Sequence, residues 1–126
     1  MAHILIVDDE QGILNMLTIL LKSEGHDPTS ALGAEKALEI LKAKQFEVMI
    51  TDIRMAPMNG MQLLRIVREE YPNMSVIMLT AFGQVDTAIE ANHLGAFEYL
   101  KKPFRSEELI MTIDKALEYR ELSLGQ

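Results

Sequence analysis

Five short apolar runs alternate with five stretches whose apolar residues recur at helical spacing. No other feature of the chain restricts its fold so tightly. His3–Asp8 (HILIVD) reads as a short buried strand. Gly12–Glu24 follows as a helix with Ile13, Leu14, Leu17, Leu20 and Leu21 on one face, and Gly25 stops it. Asp27–Ala31 is a weak second strand. Ala34–Lys44 is a helix carrying Ala37, Leu38, Ile40 and Leu41 inward. Phe46–Asp52 is the third strand, and Gly60–Glu70 the third helix, stopped by Tyr71-Pro72. Ser75–Thr80 is the fourth strand, Val85–Leu94 a short helix ending at Gly95, and Ala96–Leu100 the fifth strand. Ser106–Leu122 is the last helix, with Leu109, Ile110, Ile113, Ala116 and Leu117 inward.

Strict alternation of this kind implies an α/β fold: one doubly wound, five-stranded parallel sheet of flavodoxin-like (βα)5 form, with helices on both faces. Strands one, three and four are apolar almost throughout, as strands buried on both faces must be. The second (DPTSA) is polar and holds Pro28, which belongs at an edge. The expected strand order is therefore 2-1-3-4-5, with right-handed crossovers. The 126 residues suit one domain, and an apolar fraction of 48% supplies a core. With no Cys, disulfides and thiolate metal sites are excluded.

In such a sheet a ligand sits beyond the carboxyl ends of the strands, where the order reverses, here between strands one and three. Strand one ends in Asp8-Asp9 and strand three in Asp52, so the fold gathers three carboxylates in one crevice. Their repulsion is relieved by proton uptake or by a cation. A hard divalent ion such as Mg²⁺ takes one or two carboxylates, waters and phosphate oxygens. His3, His26 and His93 are scattered away from the strand ends, so a transition-metal site is poorly supported. Thr80 closes strand four, and Lys101-Lys102-Pro103 follow strand five. A hydroxyl and an ammonium facing a metal-bound carboxylate form a phosphoryl-binding arrangement. One of the carboxylates can then act as nucleophile.

Charge narrows the partners. The 12 basic and 19 acidic residues leave a formal charge of −7, against a nucleic-acid surface or an anionic membrane. The longest apolar run, Ile4 to Val7, is far too short to span a bilayer, and with no basic segment ahead of it no signal peptide is visible. A soluble cytoplasmic protein is the expectation.

At Asp8-Asp9, Asp52, Thr80-Ala81 and Lys102-Pro103 the chain resembles the receiver domains of two-component response regulators, over about residues 3 to 120. Any one motif is weak; all four in order on a five-fold β-α repeat are highly specific. The resemblance implies Asp52 as phosphoacceptor and Asp8 and Asp9 as the Mg²⁺-binding pair. It makes the backbone carbonyl of Arg54 a further metal ligand, Thr80 the switch hydroxyl and Tyr99 the switch aromatic. Lys102, directly before Pro103, is the family's lysine, and its bond to Pro103 is expected to be cis. The implied cofactor is Mg²⁺ and the implied partner a sensor histidine kinase.

Thr80-Ala81-Phe82-Gly83, with Ala88 and Gly95-Ala96-Phe97, is most similar to NtrC-type receivers. These precede an ATPase module and a DNA-binding module in sigma-54-dependent transcription activators. Neither module's motif is present here. The receiver would cover 1–122, and 123–126 would be a tail or the start of a linker to output modules. One departure stands out. Where the family usually reads Met-Pro-x-Met-x-Gly after the acceptor, this chain reads Met55-Ala56-Pro57-Met58-Asn59-Gly60, with proline one place late.

Other readings of single residues are plainer. Asp9 could be a helix N-cap, Thr80 a β-branched strand residue, Lys102 a solvated charge and Tyr99 simple packing. Three rivals to the receiver are also weaker. A haloacid-dehalogenase-type phosphatase needs a second Asp two residues past the nucleophile, where this chain has Arg54. A phosphorylation-independent interaction module has no use for the acidic set. An FMN-binding flavodoxin needs a phosphate loop after strand one, where Asp8-Asp9-Glu10 repels phosphate. In the expected switch Thr80 is drawn to the phosphoryl group and Tyr99 turns inward. The face of helix four, strand five and helix five then changes, and that face is an expected homodimer surface. The weakly anchored helix with Val85, Ala88, Ile89 and Leu94 is the element expected to move.

Overall fold

The computed structural model describes residues 1–81 and 85–124; the side chains of residues 85–88 and 124 are outside that description. The elements run β1 (His3–Asp8), α1 (Gln11–Ser23), β2 (Asp27–Leu32), α2 (Ala34–Ala43), β3 (Val48–Asp52), α3 (Gly60–Glu70), β4 (Ser75–Thr80), α4 (Val85–His93), β5 (Glu98–Lys101) and α5 (Ser106–Leu124). The strands form one sheet in the order β2-β1-β3-β4-β5, every neighbouring pair parallel. This is the expected doubly wound α/β arrangement.

Side-chain alternation divides the core into two layers. Ile4, Ile6, Val48, Ile50, Ile77 and Leu79 face α1 and α5, meeting Leu14, Leu17, Leu21, Leu109 and Ile113. Leu5, Val7, Met49, Val76 and Met78 face the other way, onto Ala37 and Leu41 of α2, Leu63, Leu64 and Val67 of α3, and Ala91 of α4. Central strands can be apolar at every position because both faces are covered. β2 lies at one edge and is largely half-buried, with Pro28 opposite Ile4.

Several boundaries differ from the sequence expectation. β3 starts at Val48 rather than Phe46, and β5 at Glu98 rather than Ala96. Phe46 is buried from the connecting segment, and Ala96 and Phe97 pack partly buried, so their apolar character imitates strand. α5 continues past Leu122 to Leu124. The helix-stopping glycines behave as expected: Gly25 and Gly95 have φ of 83° and 94°, a region most L residues avoid. Of the four residues expected to anchor α4, the side chains of Val85 and Ala88 lie outside the described residues. Ile89 is exposed and Leu94 is partly buried against the core.

At the amino end of α3, Asn59 accepts a hydrogen bond from the Gln62 N–H (2.9 Å), and the Gln62 side chain accepts one from the Asn59 N–H (2.9 Å). This reciprocal cap fixes where the helix begins, directly beneath the loop that leaves β3.

Candidate functional site

Parallel strands of unequal length end in one crevice. β1 delivers Asp8 there and β3 delivers Asp52, two carboxylates buried at 3% and 9% exposure. The turn after each strand folds a main-chain N–H back onto its carboxylate. Glu10 donates to Asp8 Oδ1 at 2.9 Å, and Arg54 donates to Asp52 Oδ1 at 3.3 Å. One oxygen of each carboxylate is thereby held by its own chain.

The other oxygens meet Lys102. Its Nζ lies 3.2 Å from Asp52 Oδ2 and 3.7 Å from Asp8 Oδ2, so one ammonium bridges both acids. The lysine is aimed by the backbone: its N–H donates to the Thr80 carbonyl at 2.7 Å, tying the segment after β5 to the end of β4. The Lys102–Pro103 peptide is cis, as the resemblance implies. Burial pushes the Asp8 carboxyl above its ordinary pKa, and the neighbouring charges of Asp52 and Asp9 add to this; the Glu10 hydrogen bond and Lys102 act against it.

Asp9 stands at the exposed rim and makes no hydrogen bond or ion pair among the described residues. The capping role is not its own: Glu10 occupies the N-cap of α1, without a side-chain cap bond. Thr80 is fully buried at the end of β4. The side chain of Arg54 is exposed, while its backbone belongs to the loop around Asp52. Tyr99 does not enter the crevice. It shares a sheet face with Met78 and packs half-buried against the α2–α3–α4 layer, and burial raises its phenol pKa. The structure therefore joins Asp8, Asp52 and Lys102 directly and places Asp9, Arg54 and Thr80 on the adjoining turns and strand end.

The donor set suits a hard cation. Among the described residues no three carboxylate or imidazole groups close into a ready-made cage. Mg²⁺ does not require one, since it binds through one or two carboxylates and keeps several waters. Oxygen donors line the acidic side, and the exposed Asp9 carboxylate has no competing partner among the described residues.

Two residues at the site were not singled out for these roles. Thr51 donates its hydroxyl to the Asp52 carbonyl (3.0 Å). Gly60 begins α3 hard against the same carbonyl: a Cβ there would collide with the Asp52 carbonyl oxygen and lie 2.8 Å from the Ile53 Cα. The Gly60 N–H donates to the Ile53 carbonyl at 2.8 Å. The Met-Pro-x-Met-x-Gly pattern marks Gly60 as a matching glycine, but the reason for it, the close approach of the Asp52 carbonyl, appears only once the loop is folded. The displaced proline sits in this loop, and the Ala56–Pro57 bond is cis.

Comparison with known proteins agrees with this geometry. The family model described as "Response regulator receiver domain" matches residues 4–114. The DNA-binding transcriptional regulator NtrC of Proteus hauseri is 38% identical over 121 residues, covering 95% of this chain and 26% of that protein. The chain spans about a quarter of the length of the curated relatives it matches. Among solved structures, the beryllofluoride-activated NtrC4 receiver domain dimer superposes with a TM-score of 0.89 at 36% identity, covering 94% of this chain and 98% of that one. The response regulator TrrA of Thermotoga maritima, in complex with Mg²⁺-BeF, gives 0.85 at 30% identity, covering 93% and 100%. With its carboxylates and lysine converging on one crevice of a 2-1-3-4-5 sheet, and with NtrC-type regulators among its relatives, the chain belongs to the response regulator receiver domain family.

Proposed function

We propose that this receiver accepts a phosphoryl group on Asp52 from the phosphohistidine of a sensor kinase and signals by a change of surface. The observation that carries the reading is the bridge from Lys102 to both buried acids, 3.2 Å to Asp52 and 3.7 Å to Asp8. Asp8, Asp9, Asp52 and the Arg54 carbonyl would hold Mg²⁺, which supplies positive charge for the incoming phosphoryl oxygens.

This chain's own groups do the rest. An Asp52 carboxylate oxygen attacks phosphorus and the P–N bond breaks with its electron pair going to the donor imidazole, which leaves neutral because its other ring nitrogen already carries a proton. Lys102 is already hydrogen-bonded to Asp52 and neutralises the phosphoryl oxygens without rearrangement. Thr80 offers a hydroxyl from the next strand end. Water later hydrolyses the aspartyl phosphate, so the domain works as a switch more than a turnover enzyme.

Phosphorylation adds about −1.5 to −2 charges and three acceptor oxygens. Reversing a 1:99 equilibrium to 99:1 takes about 5.5 kcal/mol. One to three charge-assisted bonds at roughly 1.5–3 kcal/mol each reach that figure. In the proposed switch Thr80 moves toward the phosphoryl group and Tyr99 turns into the space it leaves. The α4–β5–α5 face changes with it, and a homodimer through that face is part of the proposal. The NtrC4 receiver, solved as an activated dimer, supports it by analogy. The receiver unit is proposed as residues 1–122, with 123–126 leading toward ATPase and DNA-binding output modules in a longer cytoplasmic regulator that controls transcription. No helix among the described residues is long and apolar enough to cross a membrane.

Intact mass after incubation with acetyl phosphate tests the reading. A single adduct of about 80 Da that requires Mg²⁺ and is absent from Asp52→Ala is expected. An adduct indifferent to both, or no adduct, would overturn it.

A further inference from the structure

At the end of the sheet opposite the acidic crevice lies a groove lined mainly by cations. Two cavities of about 430 and 440 Å³ adjoin there and share Pro72, Asn73, Met74 and Arg120. Their charged lining is Arg68, Arg120, Lys42 and Lys44 against Glu70 alone, in a chain whose acids outnumber its bases 19 to 12.

The two arginines are held together without a counter-ion. Arg68 reaches from α3 across Gly95 and donates to the Met74 carbonyl at 2.8 Å. Arg120 comes from α5 and donates through Nε to the Asn73 carbonyl at 2.9 Å. Consecutive carbonyls of one turn thus anchor two guanidiniums, and neither forms an ion pair among the described residues. Each spends one donor on that anchor and keeps others for an oxyanion. The Phe97–Tyr119 pair, with ring centroids 5.8 Å apart, walls one side of the first cavity. Lys42 and Lys44 line the second, where Lys44 also lies 3.6 Å from Asp27.

Cations at helix carboxyl ends complement the helix dipole, and Arg68 and Lys42 lie in the last turns of α3 and α2. That accounts for basic residues at this end. It does not account for two arginines drawn from different helices onto one turn beside an open groove.

We infer that this basal groove is a docking site for an extended acidic peptide segment of a partner protein, with one carboxylate seated between Arg68 and Arg120 and a second reaching Lys42. A groove formed by two cavities end to end, cationic in both, matches spaced carboxylates on an extended chain better than one compact anion. The site lies apart from Asp52, so its occupancy does not require phosphorylation.

The test is titration of the isotope-labelled chain with a hexaglutamate peptide at low salt, followed by amide chemical shifts, with hexaglutamine as control. Shifts confined to Lys42–Phe46, Arg68, Asn73–Ser75, Gly95–Phe97 and Tyr119–Arg120 are expected for hexaglutamate alone. Arg120→Glu should weaken binding by about tenfold or more, and Arg120→Ala by less. Lys101→Glu, at the opposite end of the sheet, should change it by no more than about twofold. Melting curves of each variant check that the fold is retained. Absence of binding, shifts centred on Lys101 and Lys102, or equal affinity for Arg120→Glu would overturn the inference and leave these cations a helix-end role only.

Discussion

Replacing Gly60 by alanine tests whether Asp52, the proposed phosphoacceptor, is positioned by the helix that follows it. The added Cβ meets only backbone: the Asp52 carbonyl oxygen, the Ile53 Cα at 2.8 Å and the Asp52 carbonyl carbon at 3.0 Å. Ordinary contact begins near 3.4 Å, so the Ile53 approach alone demands a shift of 3.4 − 2.8 = 0.6 Å, and the carbonyl oxygen demands more. Backbone at the end of a central strand cannot yield as a flexible side chain would. Overpacking of this kind costs about 1–3 kcal/mol. Loosening the Gly60 N–H bond to the Ile53 carbonyl adds roughly 1 kcal/mol. Alanine's better helix propensity returns at most about 1 kcal/mol. The net expectation is a loss of about 1–3 kcal/mol in urea unfolding, with the slope unchanged. Because the strain falls on Asp52 itself, phosphorylation by acetyl phosphate should slow by up to about 10²-fold in the folded variant. A variant within about 0.5 kcal/mol of the parent, phosphorylated at the parental rate, would refute the argument.

Lys102→Ala removes the ammonium that bridges Asp8 and Asp52, and should lower the acetyl phosphate labelling rate by about 10²-fold while the fold persists. The Asp27 carboxyl is held below its ordinary value, first by the hydrogen bond from His3 at 2.9 Å and then by Lys44. The unfolded chain therefore binds more protons in that range, so this contribution is present above the ordinary carboxylate pKa and is lost as pH falls through the folded-state value. Asp27→Asn should flatten that acid limb in stability measured against pH. Leu64→Ala, at a fully buried position of α3, should cost about 2–5 kcal/mol, whereas Ile19→Ala, at 71% exposure on α1, should stay within about 0.5 kcal/mol. Tyr99 should change its side-chain rotamer, read by NMR couplings, when Mg²⁺ and beryllofluoride are added; an unchanged rotamer sinks the proposed coupling from Thr80.

The sheet order was legible because its cues are local and redundant. Apolar strands one, three and four demand cover on both faces, and Pro28 in a polar strand demands an edge. From that order the meeting of Asp8 with Asp52 follows with no knowledge of side-chain geometry. Lys102 needed more, since its reach depends on how the segment after β5 is tied to Thr80. What stayed hidden depends on tertiary approach. The family pattern places a glycine at position 60 without giving its reason, which is the Asp52 carbonyl pressed against it. Phe46 and Phe97 imitated strand because a side chain tucked under the core from a connection has the same apolar character as one on the sheet. The basal pairing of Arg68 with Arg120 joins residues 52 positions apart in sequence through carbonyls of a third segment, which no periodicity records.

The central claim is that Asp52, and neither Asp8 nor Asp9, carries the phosphoryl group. Borohydride reduction converts an aspartyl phosphate to homoserine, and peptide mass mapping then locates it. After labelling with acetyl phosphate and Mg²⁺, the account predicts homoserine at position 52 alone, and none when Mg²⁺ is chelated beforehand. Homoserine at position 8 or 9, or an unmodified Asp52 in a chain that has gained phosphate, would contradict it.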